Sequence, residues 1–495
     1  MTLRVRYEAS RSVKHAAFKY QLDAVEAIKN LEYAALFHEQ GLGKTKIAID
    51  LALMWLDQNA VDSILILTKK SLVANWAEEF QAHSFLKPRI LGQHRPSNYL
   101  ALNSPARIYL AHYEVCRSEI ERLKLFLRTR RVGVICDEAQ KFKNPESSVA
   151  QALFDLGPGF VRRVIMTGTP VANRPFDIWA LIRFLDNGAA LGLDYEQFKS
   201  DFDLSEQLTH DDARRAEFEN RLSTLMDRIR SFTIRETKAS AGLELPGKEI
   251  REVVVDLEDR QEELYRNYRE ELRSVVVRGG KPVVDDVDNI IKRLLRLIQV
   301  ASNPALVDSS YNRPPGKLAA VEEILDEVLR DPPVKAIVWS NFTANVDWLA
   351  RELKRFGTAR VHGKIAIDDR NRAIKRFKSD SECRVLVATP GAAKEGLTLT
   401  VANHAVFFDR GLSLDDYLQA QDRIHRISQT KNCIIYNLIA RDTIDEWVDE
   451  LLVAKHLAAR LALSDINKEQ YQELAKYEFA EVLQRILGSP STAND

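Results

Sequence analysis

Cysteine is scarce in this chain: Cys116, Cys136, Cys383 and Cys433 are its four, and none has the paired spacing of metal ligands. That argues against a disulfide scaffold and a cysteine–histidine zinc module, and it suits a reducing compartment. Long apolar runs are also missing. Nothing approaches the ~18 residues that a membrane span requires. The basic start MTLRVRYEASRSVKH has no apolar stretch behind it, which argues against a secretory signal. No membrane partner and a cytoplasmic location are therefore expected. An excess of one charge is absent as well, with 71 Lys+Arg against 71 Asp+Glu. A nucleic-acid partner would need a local basic track, balanced by acid elsewhere.

What is present is enough apolar material for sizeable cores. The chain has 495 residues, 45% of them apolar and 29% charged, so two to four domains are expected. Residues 1–190 alternate Val/Ile-rich runs with amphipathic segments. SILIL (63–67), ARIYLA (106–111), VGVIC (132–136) and RVIM (163–166) read as strands covered on both faces. KTKIAIDLALMWL (44–56) and SLVANWAEEF (71–80) read as crossover helices, giving a parallel sheet. The same grammar returns in residues 331–442, with KAIVWS (335–340), RVLVAT (384–389), HAVFFD (404–409) and CIIYNLI (433–439). Residues 191–330 are rich in Glu, Arg and Leu and predict a helical insertion and linker. The tail, 443–495, predicts a further helical segment. The fold class is α/β, with two parallel-sheet lobes.

HEQGLGKTKIAID (38–50) follows LEYAALF (31–37) and opens an apolar-periodic helix. Main-chain N–H groups from Gly41, Leu42, Gly43, Lys44 and Thr45 could surround phosphates at the positive helix end. Lys44 would add a point charge, and the Thr45 hydroxyl could ligate Mg²⁺. A strict Walker loop wants Gly at position 38, where His38 stands, so an ordinary helix-start loop is the competing reading. VGVICDEAQ (132–140) ends a strand in two carboxylates. Asp137 could hold the Mg²⁺ shell, and Glu138 could orient or deprotonate an attacking water; a solvated turn is the bland alternative. VIMTGTPVANRP (164–175) places Thr167 and Thr169 at the same sheet edge.

In the second lobe, YLQAQDRIHRISQTKN (417–432) spaces Gln419, Arg423 and Arg426 as one helical face. Such guanidinium groups can balance charge on a transferring phosphoryl group. The alternative is a surface helix paired with Asp415, Asp416 or Asp422. If the arginines reach the nucleotide only when the lobes close, each ATP cycle would open and shut a clamp.

At these residues the chain resembles the Swi/Snf-like branch of the two-lobed, RecA-like helicase-fold ATPases, over about residues 15–455. KYQLDAVEAI (19–28) is similar to the adenine-contact motif, with Gln21 as its base-reading residue. EQGLGKT (39–45), DEAQKFKN (137–144), MTGTPVANRPFDIWAL (166–181) and FTIRETK (232–238) follow in the family's order. So do GKL (316–318), VWSNF (338–342), VHG (361–363), ATPGAAKEGLTLTVANHAVFFD (388–409) and QAQDRIHRISQ (419–429). Gln140 stands where the family usually has His, His38 where an acid is common, and Ser428 where Gly is usual.

The resemblance implies a duplex-DNA-stimulated ATPase that translocates without sustained strand unwinding, using ATP and Mg²⁺. It implies nucleotide contacts from Gln419 and Gly396 as well. It implies DNA-phosphate contacts, assigned to Lys69, Lys70, Ser71, Asn173, Arg174, His362, Gly363, Thr389 and Lys394. Contacts of that kind carry no base code. The compact form points to a prokaryotic or phage-encoded, nucleoid-associated motor. Protein partners could use the helical insertion or the C-terminal helices. A strand-separating DNA or RNA helicase and an ATP-gated binding subunit remain the alternatives.

Overall fold

The computed structural model describes residues 10–171, 173–203, 212–242, 245–278, 281–282, 287–392 and 398–475. The chain forms two compact units: residues 1–243 with 458–472, and residues 244–457 with 473–495. Among the described residues, no helix is long and apolar enough to cross a membrane.

The first unit is built on seven parallel strands. These are β1 (Tyr33–Leu36), β2 (Ser63–Thr68), β3 (Arg89–Leu91), β4 (Ile108–His112), β5 (Val132–Asp137), β6 (Arg162–Met166) and β7 (Thr233–Ile234). Their spatial order is β3-β4-β2-β5-β6-β1-β7. Side chains alternate across a strand, so a sheet covered on both faces needs apolar residues at every position. β2 shows this: all six of its residues are buried. Ile64 and Ile66 pack with Leu36, Ile108, Leu110, Ile135 and Val164 on one face, under the helices Lys19–Ile28, Lys44–Asp57 and Val73–His83.

The second unit holds β8 (Lys248–Val255), a short pair β9 (Val277–Arg278) and β10 (Lys281–Pro282), and a parallel sheet completed by later strands. Those are β11 (Ala336–Trp339), β12 (Thr358–Val361), β13 (Val385–Ala388), β14 (His404–Phe407) and β15 (Cys433–Ala440), in the order β12-β13-β11-β14-β15-β8. Alternate residues serve two cores. Ile337, Leu386, Ala405 and Ile435 join one, whereas Val338, Val387, Val406 and Tyr436 join the other. The sequence predicts two RecA-like parallel-sheet lobes with helical material between them, and that is the architecture found.

One expectation needs correcting. The Glu/Arg-rich stretch 191–330 is not helical throughout. It gives β7 to the first sheet and β8 to the second, where β8 pairs with β15 from Lys248↔Cys433 to Val255↔Ala440. β8 is an edge strand with five exposed residues in a row at its start. Charge is tolerated there because one side faces water, and charged edges discourage pairing with other chains.

Candidate functional site

The first unit's chemistry lies where parallel strands end and their loops begin. β1 leads into residues 37–43, and the helix Lys44–Asp57 starts there. Gly41 (φ 88°) and Gly43 (φ 71°) both take left-handed backbone, which side chains disfavour. At Gly43 a second constraint applies, because a Cβ would lie 2.4 Å from Gln21 Nε2. Gln21 itself is buried, and Nε2 donates to the Leu42 carbonyl at 3.2 Å while Oε1 accepts from Phe18 N–H. Gln21 therefore touches the loop it was expected to accompany. Lys44 Nζ donates to the carbonyls of His38 (2.8 Å) and Glu39 (3.2 Å). Thr45 is half-buried in the first helical turn, where main-chain N–H groups lack intrahelical acceptors.

β5 ends at Asp137, 8% exposed. Two side chains that the sequence reading did not assign to the site hold it. Trp76 Nε1 donates to Oδ2 at 2.8 Å, and the Thr68 hydroxyl donates to the same oxygen at 3.1 Å. Trp76 lies on the buried side of its helix. Tyr113 fixes the Asp137 main chain, its hydroxyl donating to the carbonyl at 2.7 Å. Burial, then the neighbouring Glu138 charge, raises the Asp137 carboxyl above the ordinary aspartate range, while Trp76, Thr68 and the Lys44 ammonium pull it down. A cation beside Asp137 would remove that tension.

Glu138 sits at φ 51°, a left-handed backbone that a non-glycine residue adopts at a cost of order 1 kcal/mol. Its carboxylate accepts from Gln140 Nε2 and lies 3.4 Å from Lys69 Nζ. Gln140 thus serves as a neutral clamp on Glu138. Lys69, expected on DNA phosphate, faces this carboxylate.

β6 stands between β1 and β5, so the loop after it is interposed between the phosphate loop and Asp137–Glu138. Thr167 Oγ1 accepts from the Thr169 N–H at 3.1 Å. A Cβ on Gly168 would come within 2.8 Å of Gln40 Cγ, so the two loops are packed together. Of the other expected contacts in this unit, Lys70 is exposed, and Ser71 and Asn173 are half-buried. The Arg174 guanidinium lies 5.3 Å from the Phe176 ring centre.

In the second unit His362, Gly363 and Thr389 follow the adjacent strands β12 and β13, and Thr389 N–H donates to the Val361 carbonyl at 3.0 Å. His362 Nε2 lies 3.0 Å from Asp347 Oδ1. Lys394 and Gly396 lie outside the described residues.

The expected single helical face for Gln419, Arg423 and Arg426 is not formed. The helix Leu414–Gln421 stops before both arginines, and turns follow. Past Gln421 the backbone tightens, the Arg423 and Ile424 N–H groups donating to Ala420 and Gln421, three residues back, at 3.2 Å each. Leu399 N–H takes the Arg423 carbonyl at 2.9 Å, and Gln429 Nε2 takes that of Ile424 at 2.9 Å. Arg423 is 2% exposed. Arg426 is anchored, Nε to the Asp422 carbonyl (2.9 Å) and Nη1 to the Thr398 hydroxyl (3.2 Å). Gln419 Nε2 donates to Asp415 at 2.7 Å.

Comparison with known proteins adds independent findings. The SNF2-related domain model matches residues 20–306, more than half of the chain, and the helicase conserved C-terminal domain model matches residues 316–428. An uncharacterized ATP-dependent helicase of Mycoplasma genitalium is 28% identical over 468 residues, spanning 91% of this chain and 42% of that protein. The DNA repair and recombination protein RAD54-like of Gallus gallus is 28% identical over 492 residues, spanning 89% of this chain and 64% of that one. The chain thus spans about two fifths of the Mycoplasma relative's length. The Sulfolobus solfataricus SWI2/SNF2 ATPase core in complex with dsDNA aligns at 26% identity with a TM-score of 0.42, covering 96% of this chain and 98% of that one. On the match over residues 20–306, the chain belongs to the SNF2-related domain family of helicase-fold ATPases.

Proposed function

We propose that this chain hydrolyses ATP and couples the reaction to translocation along double-stranded DNA, without sustained strand unwinding. The observation that carries the reading is the assembly on the first sheet. A glycine-permitted loop opens a helix at Lys44–Thr45, and a buried aspartate and a backbone-strained, clamped glutamate end a nearby strand.

Main-chain N–H groups of Gly41–Thr45 receive the triphosphate, and Lys44 exchanges two loop carbonyls for phosphate oxygens. Asp137 and Thr45 fit Mg²⁺. Both recorded donors to Asp137 use Oδ2, and a cation at the other oxygen suits a desolvated carboxylate. The ion supplies charge neutralisation of the phosphates when bound. Glu138 takes the proton of the attacking water as its oxygen bonds to the γ-phosphorus and the bond to the β-phosphate oxygen breaks, giving ADP and phosphate. Gln140 keeps that carboxylate in place. Arg423 and Arg426 supply positive charge to the transferring phosphoryl group. Gln21 reads the base, and Gln419 and Gly396 complete the nucleotide contacts.

Lys69, Lys70, Ser71, Asn173, Arg174, His362, Gly363, Thr389 and Lys394 contribute to a sequence-independent track for DNA phosphates. The DNA repair and recombination name of one relative supports DNA as the polymer. A prokaryotic or phage setting, in the cytoplasm, is part of the same proposal. Protein partners would use helices such as Asp212–Ile229, Asp259–Val276 and Ile444–Ala462.

ATP turnover measured with and without duplex DNA across a salt series tests the reading. DNA stimulation that weakens with salt is expected, and so is displacement of a distant third strand from a triplex. Turnover indifferent to DNA at every salt concentration would overturn the translocase assignment.

A further inference from the structure

The C-terminal part of the chain returns to the first unit: residues 458–472 belong to it, whereas the preceding residues 244–457 form the second. Where the helix Ile444–Ala462 ends, Ser464 takes left-handed backbone (φ 57°). The N–H groups of Ser464 and Asp465 close back on the carbonyls of Leu461 (3.0 Å) and Arg460 (2.8 Å). This turn presents Asp465 to Arg235. Nε of the guanidinium donates to Oδ1 at 2.6 Å and Nη2 donates to Oδ2, a two-point pair with both side chains mostly buried.

The remaining arm of Arg235 reaches the nucleotide side. Nη1 donates to the Phe37 carbonyl at 2.7 Å. Phe37 precedes His38 and Glu39, the two residues whose carbonyls hold the Lys44 ammonium. Phe37 and Glu39 are also tied to the β7 segment. Phe37 N–H donates to Ile234 and Glu39 N–H to Glu236, both at 2.8 Å, and Lys238 N–H donates to the Glu39 carboxylate at 2.7 Å. Most of these ties are main-chain bonds that many sequences could make. The Arg235 bond depends on a side chain whose plane a second residue fixes, since a planar guanidinium held at two points has its third donor direction set.

We propose that Asp465 is a positioning residue for nucleotide binding, acting through Arg235 on the base of the phosphate loop. The proposal rests on the reading of that loop as the ATP site. Docking of the C-terminal segment then sets nucleotide affinity, because residues 37–39 are the platform from which Lys44 works. A contact that acts on ground-state and transition-state binding alike moves KM and leaves kcat alone.

The test uses the full chain as wild type, Asp465→Asn, Arg235→Lys, the double variant, and Lys468→Ala. Lys468 anchors the same segment, donating to Asn220 at 2.8 Å, without touching the loop. Four quantities are read: KM and kcat for ATP, affinity for a fluorescent ATP analogue, unfolding midpoint, and amide exchange at residues 37–45 in nucleotide-free protein. Asp465→Asn is expected to raise KM about fivefold or more with kcat within about twofold, and to speed exchange across the loop. The double variant should be no worse than Arg235→Lys alone, since the two residues share one path. Lys468→Ala should lower the midpoint and leave KM and loop exchange unchanged. Unchanged KM and exchange in Asp465→Asn would overturn the proposal, as would equal changes in Lys468→Ala. A wild type that neither binds nor turns over ATP would instead refute the functional reading, while the exchange measurement would still decide whether Asp465 holds the loop.

Discussion

Two buried aspartates stand at or just beyond the ends of sheet strands, one in each unit, and their surroundings differ. Asp409, just beyond β14, is fully buried, and donors reach both of its oxygens. Ser302 (2.8 Å), Ser340 (2.6 Å) and Asn345 (3.3 Å) donate to Oδ2, and the Asn341 main chain donates to Oδ1 at 2.6 Å. Asp137, ending β5, receives both recorded donors on one oxygen and has a second carboxylate next to it in the chain. A carboxylate saturated by neutral donors is a structural tie that joins strand ends to the Ser302 and Asn345 helices. A carboxylate desolvated and served on one oxygen is what the proposed cation site needs. Burial alone does not separate the two acids; the distribution of their donors does.

Exchanging each aspartate for asparagine should separate the two kinds. Asp137→Asn is expected to reduce ATP turnover by about 10³-fold, the scale of losing a metal-held charge at the reacting phosphate. It should also raise the unfolding midpoint of nucleotide-free protein, because the raised Asp137 carboxyl marks a charge that folding has to bury. Asp409→Asn should do the reverse, destabilising by about 2–3 kcal/mol as buried donors lose their acceptor, with turnover of the folded fraction largely kept. Denaturant melts and single-turnover assays on the pair check both; a stabilised Asp409→Asn would break the contrast.

Next in size is the clamp on Glu138. Glu138→Gln should cut kcat by about 10²–10⁴-fold while ATP affinity holds within about threefold. Gln140→Ala should cost kcat about tenfold, the lower range of misplacing a general base. Isothermal titration with ATP alongside steady-state turnover checks the split. Equal loss of binding in both variants would move Glu138 out of the proton-accepting role.

Much of the fold was readable because β2, β5, β6 and β11 are covered on both faces and so appear as unbroken apolar runs. β8 was not readable, because an edge strand can carry Lys248, Glu249, Arg251 and Glu252 in exposed positions, and that pattern imitates a solvated helix. The phosphate loop and the Asp137–Glu138 pair were legible for a local reason: each needs consecutive residues of special type. The partners of Asp137 were not. Thr68 and Trp76 arrive from a neighbouring strand and the helix after it, and nothing near either residue in the chain announces a carboxylate. Arg423 and Arg426 show the opposite failure. Their spacing suits a helix, yet the Arg423 and Ile424 N–H groups turn to carbonyls three residues back, and the helix ends at Gln421.

His38 extends the contrast with Asp137 to pH. It occupies the place of a strict Walker glycine and is fully buried. Burial, with the Lys44 and Arg235 charges beside it, pushes its imidazole down to about 3. The folded protein therefore keeps His38 neutral where the unfolded chain protonates it. Stability from this group is complete above the unfolded value near 6.5 and is lost as pH falls toward about 3, at up to about 1.4 kcal/mol per pH unit. Asp137 works with the opposite sign, since an acid raised by folding favours the folded state as pH falls. His38→Gln should accordingly flatten the loss of stability between pH 6.5 and 4.5, and Asp137→Asn should steepen it. Urea midpoints at half-unit pH steps decide the matter: parallel curves for His38→Gln and wild type would show that the imidazole does not stay neutral against Lys44 and Arg235.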